Sequence, residues 1–290
     1  MKKKKRLKEL IAAIATVTGV FSVVTPASAV SLQSNEVWDD LTDLPVQSRT
    51  TDMSGFQELI PEFKQFVQPE GIAIPANQSA RLDPSRLQLV SDSNVRVWFL
   101  NEGADYRNQL AYEAVVNDSV IQQGLIFEDA SCIAGGQYNC ERSSADGVLN
   151  VGDYVDLGTI PGGSQLNFWL RANGDNPQSP AGTNPVTNEK YIYGPSPEVN
   201  PDNLEHIVSY EYQDYVVIGF EDLFGPEGFS GGGNVDLTAD RDFNDVVFVV
   251  DVGKNNLDGT AYVPEPGTVL AILAVGAVGT LQLRRSRSRV

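Results

Sequence analysis

Residues 240–250 read DRDFNDVVFVV, crowding Asp240, Asp242, Asn244 and Asp245 into six positions that run straight into an apolar stretch. Carboxylates at that spacing repel one another, and a dry neighbourhood strengthens the repulsion. In a fully extended chain alternate side chains stand about 6.6 to 7 Å apart at the backbone, too far to converge easily, so the acids are expected on a curled loop that feeds a strand. Calcium takes six to eight oxygens at about 2.3 to 2.6 Å, and a D-x-D-x-N spacing delivers alternate carboxylate and amide oxygens to one ion. Glu221 and Asp222, at the end of the stretch VVIGFEDL, offer more oxygens from a second strand end. The competing account is a hydrated turn whose side chains cap backbone amides.

Other chemistries fit these residue types less well. Asp240, Asp242 and Asn244 fall at positions one, three and five of an EF-hand loop, and Asp251 at position twelve. Position six, where the sharp turn needs glycine, is Asp245, and a strand rather than a helix follows, so the EF-hand is rejected. GFSGG at 228–232 matches the G-x-S-x-G nucleophile pattern around Ser230. That pattern acts on a strand-turn-helix elbow, whereas here it lies in a glycine-rich loop, and the chain's single histidine, His206, precedes the serine. His206 opens a predicted strand and is read as half-buried or hydrogen-bonding. A glycosidase-type carboxylate pair needs a separation that sequence does not provide. No catalytic residue is assigned, and the reading is non-enzymatic.

The elements that must position the acids are short and β-like. From Leu87 onward the chain offers LQLV, NVRVWFL, AYEAVV, GLIF, DYVDLG, LNFWLR, KYIY, HIVSYEY, YVVIGFE and DVVFVV, separated by Gly, Pro, Asn and Asp clusters. With no long helical period among them, the pattern predicts a mainly β, antiparallel sandwich of jelly-roll-like type over 89–253. His206 to Tyr212 and Tyr215 to Phe220 form a hairpin around Gln213 and Asp214, and DVVFVV, apolar on both faces, is a central strand. Residues 30–88 are a mixed extension with one helical candidate, GFQELIPEFKQF, interrupted at Pro61, and no chemistry is assigned to them. Tyr191, Tyr193, Tyr210, Tyr212 and Trp169 are either a sugar-stacking face or, as is commoner, core and cross-strand pairs.

Cys132 and Cys140 enclose the short loop CIAGGQYNC. In an exported chain such a pair is most simply a disulfide, with two free thiols as the alternative. Between Val30 and Val263 the chain has 11 Lys and Arg against 36 Asp and Glu, a net charge of −25. Nucleic acid is excluded as a partner by that balance, which suits a soluble extracellular protein and, where the acids cluster, divalent cations.

Both ends of the chain carry export signals. Residues 1–29 have a basic start (KKKKRLK), an apolar stretch from Leu10 to Val24 and a small-residue cleavage site at Ala27-Ser28-Ala29, which predicts a signal peptide of the general secretory route cut before Val30. At the other end a linker over 254–266 closes on Pro264, Glu265 and Pro266. The seventeen uncharged residues 267–283 follow, then RRSRSRV over 284–290. That length just spans a bilayer, and the arginines hold the last residues in the cytoplasm. The order of Pro-Glu-Pro, helix and arginines resembles the PEP-CTERM sorting tail of Gram-negative bacteria. The resemblance implies transient anchoring in the inner membrane, recognition by an exosortase-type membrane protease, and release or transfer to the cell surface. A plain one-helix anchor is the alternative.

VVIGFEDL followed by DRDFNDVVFVV resembles the closing signature of the domain of unknown function 4114, found in bacterial surface and secreted proteins. NEGADYRNQLAYE and GGSQLNFWLRANG are similar to its earlier strands, so the resemblance runs from about Leu89 to Gly253. It implies a β-rich domain and, at Glu221, Asp222, Asp240, Asp242, Asn244 and Asp245, a calcium site. The two halves are usually joined by a short Gly-containing connection, whereas FGPEGFSGGGNVDLTA intervenes here, which leaves open whether they face one ion. The functional expectation is a calcium-stabilised cell-surface or extracellular-matrix protein in adhesion or in exopolysaccharide and biofilm organisation, with polysaccharide or other surface proteins as partners. A calcium-dependent carbohydrate-binding module is the alternative and a secreted hydrolase the third reading.

Overall fold

The computed structural model describes residues 32–72, 81–228 and 238–258. The expected signal peptide, the Pro264-Glu265-Pro266 motif, the span 267–283, the basic tail and Ser230 all lie outside the described residues. Among the described residues no helix is long and apolar enough to cross a membrane.

The strands are β1 (Arg81–Leu82), β2 (Gln88–Leu89), β3 (Ser93–Asn101), β4 (Gln109–Val116), β5 (Ser119–Phe127), β6 (Tyr154–Ile160), β7 (Gln165–Arg171), β8 (Ile192–Tyr193), β9 (Ile207–Tyr212), β10 (Tyr215–Phe220), β11 (Val246–Asp251) and β12 (Leu257–Asp258). They pair antiparallel in two sheets, ordered β1-β9-β10-β11-β3-β6 and β12-β2-β7-β4-β5, with β8 beside β7. All ten strand segments read from the sequence overlap one of them. Their turns follow local chemistry: Asn117 and Asp118, between β4 and β5, have φ of 48° and 60°. Two-residue hairpin turns need that left-handed geometry, which Asn and Asp tolerate.

The two sheets pack face to face. Ring centroids of Phe168 on β7 and Phe248 on β11 lie 5.1 Å apart, and those of Phe99 on β3 and Phe127 on β5 lie 5.9 Å apart. As a strand in the middle of its sheet, β11 has neighbours on both sides, and Val246 to Val250 are all buried. Its outer face is covered as well, which explains why DVVFVV is apolar throughout.

That cover comes from residues 32–72. Helix α1 (Asn35–Trp38) brings Trp38 into a cluster with Leu32, Ala111, Leu125, Trp169 and Ile192 on the outer face of the β4-β7 sheet. Helix α2 (Phe56–Phe63) buries Phe56, Ile60 and Phe63, one helical stripe, against the other sheet. Phe56 stacks on Trp98 at 4.1 Å and Phe63 meets Tyr215 at 5.3 Å. The helix runs through Pro61, where the sequence suggested an interruption. Burial of the aromatic stripe offsets the hydrogen bond that proline removes.

Burial also decides the fate of the aromatic residues, with Tyr210 and Trp169 covered by residues 32–72 and Tyr191 and Tyr193 packed on Phe224 and His206. Tyr191, Tyr193, Tyr210 and Trp169 are buried, so a sugar-stacking face built from them is overturned in favour of core packing. Tyr212 packs edge-on against Phe63 and Phe66, and its hydroxyl hydrogen-bonds to the Glu62 carboxylate. Cys132 and Cys140 are joined in a disulfide.

Candidate metal centre

Strand register builds the centre. Phe220, the last residue of β10, pairs with Val246, the first of β11. Glu221 and Asp222 therefore emerge beside Asp245, whatever the length of the connection between them. The junction is closed by the Asp245 amide donating to the Phe220 carbonyl at 3.1 Å and the Asp222 amide donating to Asp245 Oδ2 at 2.7 Å. The long connection leaves and returns as a local pair, with the Gly228 amide on Ala239 O and the Ala239 amide on Pro226 O, both at 3.0 Å.

Residues 240–245 form the expected curl. Arg241 and Phe243 sit at φ of 60° and 56°, so non-glycine residues in the left-handed region alternate with the acids and turn them toward one side. Such residues are typically strained by about 1–3 kcal/mol each and persist where surrounding contacts hold them. One contact is the Phe243 carbonyl, which lies 2.3 Å from where a β-carbon on Gly219 would stand; only glycine on β10 lets the loop cross there. Asn244 supplies others: its amide donates to Asp242 Oδ1 at 3.1 Å, its Nδ2 to Gln68 O at 3.0 Å, and its carbonyl accepts from Asn101 Nδ2 at 3.2 Å.

The acids converge in two overlapping groups. Ligand oxygens of Glu221, Asp222 and Asp245 lie within 4.8 Å of one another, and so do those of Glu221, Asp240 and Asp242. All five residues are buried, Glu221 completely and none more than 7 % exposed. Among the described residues no Lys or Arg forms a salt bridge with any of them. The oxygens Glu221 Oε2 and Asp240 Oδ1 are buried without a hydrogen-bond partner, as is Asn244 Oδ1, which lies against Gly103. Asp251 sits at the far end of β11, about 20 Å from the cluster at strand rise, and takes no part.

Burial dominates the electrostatics. It raises Glu221 well above the usual carboxylate range, helped by the Asp240 and Asp222 charges, and raises Asp245 similarly, helped by Asp222 and Glu221. Asp222 is pushed up to about 7 by burial against the opposing hydrogen bond from Asn108, with Asp240 and Asp242 adding to the rise. Asp242 also reaches about 7 through burial and Asp240, opposed by the Asn244 and Gly71 amides. A buried, all-oxygen donor set with this much unneutralised charge suits a hard divalent cation.

Several contributors escaped the sequence reading. Asn108 Nδ2 donates to Asp222 Oδ2 at 2.6 Å and fixes it. The Gly71 amide donates to Asp242 Oδ2 at 2.8 Å. Its neighbour Glu70 pairs with Arg142 at 3.2 Å through Oε1, while Oε2 is buried and unpartnered. Burial raises the Glu70 carboxyl, Arg142 opposes the rise and Asp240 adds to it. His206, fully buried, hydrogen-bonds Glu221 O through Nδ1 and Asp202 Oδ2 through Nε2, both at 2.9 Å, and stacks on Tyr193. Burial lowers its pKa, while Asp202, despite its own burial, is held down at about 2 by His206 and by the Gly225 and Leu204 amides. His206 is thus a strut behind the Glu221 backbone, a hydrogen-bonding role of the kind its position suggested.

A cleft of about 430 Å³ adjoins the cluster, lined by Glu102, Arg107, Arg142 and Asn173 among others. Glu102 is raised to about 8, chiefly by burial, with the Cys132 amide opposing and the Asp129 and Asp222 charges adding.

Two family models match the chain. The one described as Domain of unknown function (DUF4114) matches residues 160–253, and the PEP-CTERM protein-sorting motif matches 263–287. The first holds all six residues read as metal ligands but begins well after Leu89, so Asn101, Asn108 and Glu70 lie outside it. The second marks an exported protein, processed by exosortase and sorted to the cell envelope. No curated protein and no solved structure matches the chain.

Proposed function

We propose that the chain is a calcium-stabilised surface or extracellular-matrix protein that acts in adhesion or in the organisation of exopolysaccharide and biofilm. On this reading the signal peptide 1–29 is removed during export. The span 267–283 then holds the protein in the inner membrane, with 284–290 on the cytoplasmic side, until exosortase acts at Pro264-Glu265-Pro266. Calcium joins the end of β10 to the loop before β11 through Glu221, Asp222, Asp240, Asp242 and Asp245. The reading rests on one observation: five buried carboxylates meet without a salt bridge, and two of them present unpartnered oxygens. Bound there, the ion neutralises the cluster and fixes the strained loop. The catalytic roles of calcium play no part.

A calcium-dependent carbohydrate-binding module is the second reading. With the tyrosines buried, the polar cleft beside Glu102 is the feature that favours it. Retention on immobilised polysaccharide, abolished by chelator and restored by calcium, would select it over a purely structural ion.

Extracellular calcium modules bind at about 10⁻⁴ to 10⁻³ M, and a hundredfold excess of ligand over its constant stabilises by about 2.7 kcal/mol. Calcium should therefore raise the melting temperature by several degrees, and Asp242→Ala should reduce that rise while the protein still folds. Unchanged melting in chelator, together with no calcium binding by calorimetry up to millimolar levels, sinks the proposal.

A further inference from the structure

Resting on that reading, we infer that the centre takes two divalent cations bridged by Glu221, and that Glu70, from the segment preceding the sandwich strands, is a ligand of the outer one. The inner position is formed by Glu221, Asp222 and Asp245, the outer by Glu221, Asp240 and Asp242. Glu221 is common to both, fully buried, and has one oxygen engaged by the Leu223 amide at 3.2 Å and the other unpartnered. A carboxylate that belongs to both acid groups and keeps an oxygen free of protein partners is the one residue able to serve both positions.

The outer position is completed from residues 68–71. The Gln68 carbonyl and Gly71 amide are fastened to Asn244 and Asp242, so Glu70 is held between two anchors on the loop itself. Its Oε2 is buried without a partner, like Asp240 Oδ1. Its charge acts on both Asp242 and Asp222, as expected of a group facing the cluster.

Charge counting agrees. With Glu70 there are six carboxylates, and the guanidinium groups that act on them are Arg142, paired to Glu70, and Arg241, whose charge reaches Glu221. With every carboxyl ionised at least four negative charges remain, since Arg142 is also shared with Asp105, and that is more than one divalent ion neutralises. A dinuclear arrangement would also make the outer ion a clasp, binding the 68–71 segment to the β10-β11 junction.

The test is stoichiometry. The full chain in detergent, stripped with chelator and titrated with calcium, is examined by native mass spectrometry and calorimetry. Two calcium ions per chain are expected. Glu70→Gln and Asp240→Asn should each leave one ion, Asp245→Asn should leave one, and Glu221→Gln should impair both. Glu70→Gln should also speed proteolysis within 64–72 without unfolding the strands. Circular dichroism in excess calcium checks that each variant is folded, and the wild-type count needs no variant. One ion per wild-type chain overturns the two-ion inference and leaves the proposed function standing; no ion overturns both.

Discussion

The buried acids make an unusual prediction about pH. In the calcium-free protein Asp222 and Asp242 have folded pKa values raised from 3.8 to about 7, and Glu221 and Asp245 are raised as well. A carboxyl raised in the folded state binds its proton more tightly there than in the unfolded chain. Its contribution to stability is full below the unfolded value and is lost as pH rises through the folded one. Calcium-free protein should therefore become more stable as pH falls from about 8 to about 5, the reverse of ordinary acid denaturation. The four groups are coupled, so the conservative minimum is one extra proton held by the folded cluster. That gives about 1.4 kcal/mol per pH unit, which for a domain of this size is about 3–5 °C in melting temperature per unit. Saturating calcium displaces the protons, so the loaded protein should lose the cluster's share of that slope and keep only the opposed contributions of Glu102, raised to about 8, and His206, lowered by burial, and calcium should release protons on binding. Differential scanning calorimetry with and without chelator, at several pH values, measures both slopes. A chelated protein whose melting temperature falls on acidification from neutrality would refute the reasoning, because carboxylates ionised without difficulty behave that way.

Three further outcomes follow from the packing and the termini. Phe56→Ala removes a fully buried ring stacked on Trp98 and should cost about 3–5 kcal/mol in urea unfolding without changing calcium stoichiometry. Replacing Cys132 and Cys140 by serine opens a loop with a sequence separation of 8, which loop-closure entropy values at about 2–3 kcal/mol; denaturant titration reads the loss and non-reducing peptide mapping the native bond. Intact mass of protein from the native envelope should show a chain starting near Val30 and lacking residues 267–290. A species ending at Val290 would leave only a plain anchor.

The strands were legible because their signal is local. Runs such as NVRVWFL and DVVFVV, bounded by turn residues, can satisfy backbone and side chains only in a sheet, and each lies in one. The role of residues 32–72 was not, because it consists of partners rather than patterns. Nothing in GFQELIPEFKQF says that its aromatics will meet Trp98 and Tyr215, and so nothing could say that Tyr210 and Trp169 would lose their exposed faces. The acid motif could be read as a curl because extended spacing fails, but its left-handed residues, Arg241 and Phe243, carry no glycine to announce them. Glu70, Asn101 and Asn108 are single polar residues far along the chain from the motif, and only the register of β3 on β11, the contact of Asn108 with Asp222 and the path of the covering segment bring them in.

Burial also bears on the choice between a hydrated turn and an ion. A hydrated turn needs its carboxylates in water, yet Glu221, Asp222, Asp242 and Asn244 are at most 2 % exposed. Capping accounts for some of the oxygens: Asp242 accepts from two amides and Asp245 from one. It does not reach Glu221 Oε2 or Asp240 Oδ1. Protons alone are a poor substitute, because a neutral carboxyl still brings a donor and an acceptor that must find partners in a dry site. Near neutrality, moreover, Asp222 and Asp242 sit close to their midpoints of about 7, so negative charge persists in the cluster. A divalent cation answers the charge and the unpartnered oxygens together, and it does so at the junction where the left-handed loop residues most need a rigid anchor. The case for calcium therefore stands on the mismatch between how many oxygens are buried and how many the protein itself can satisfy.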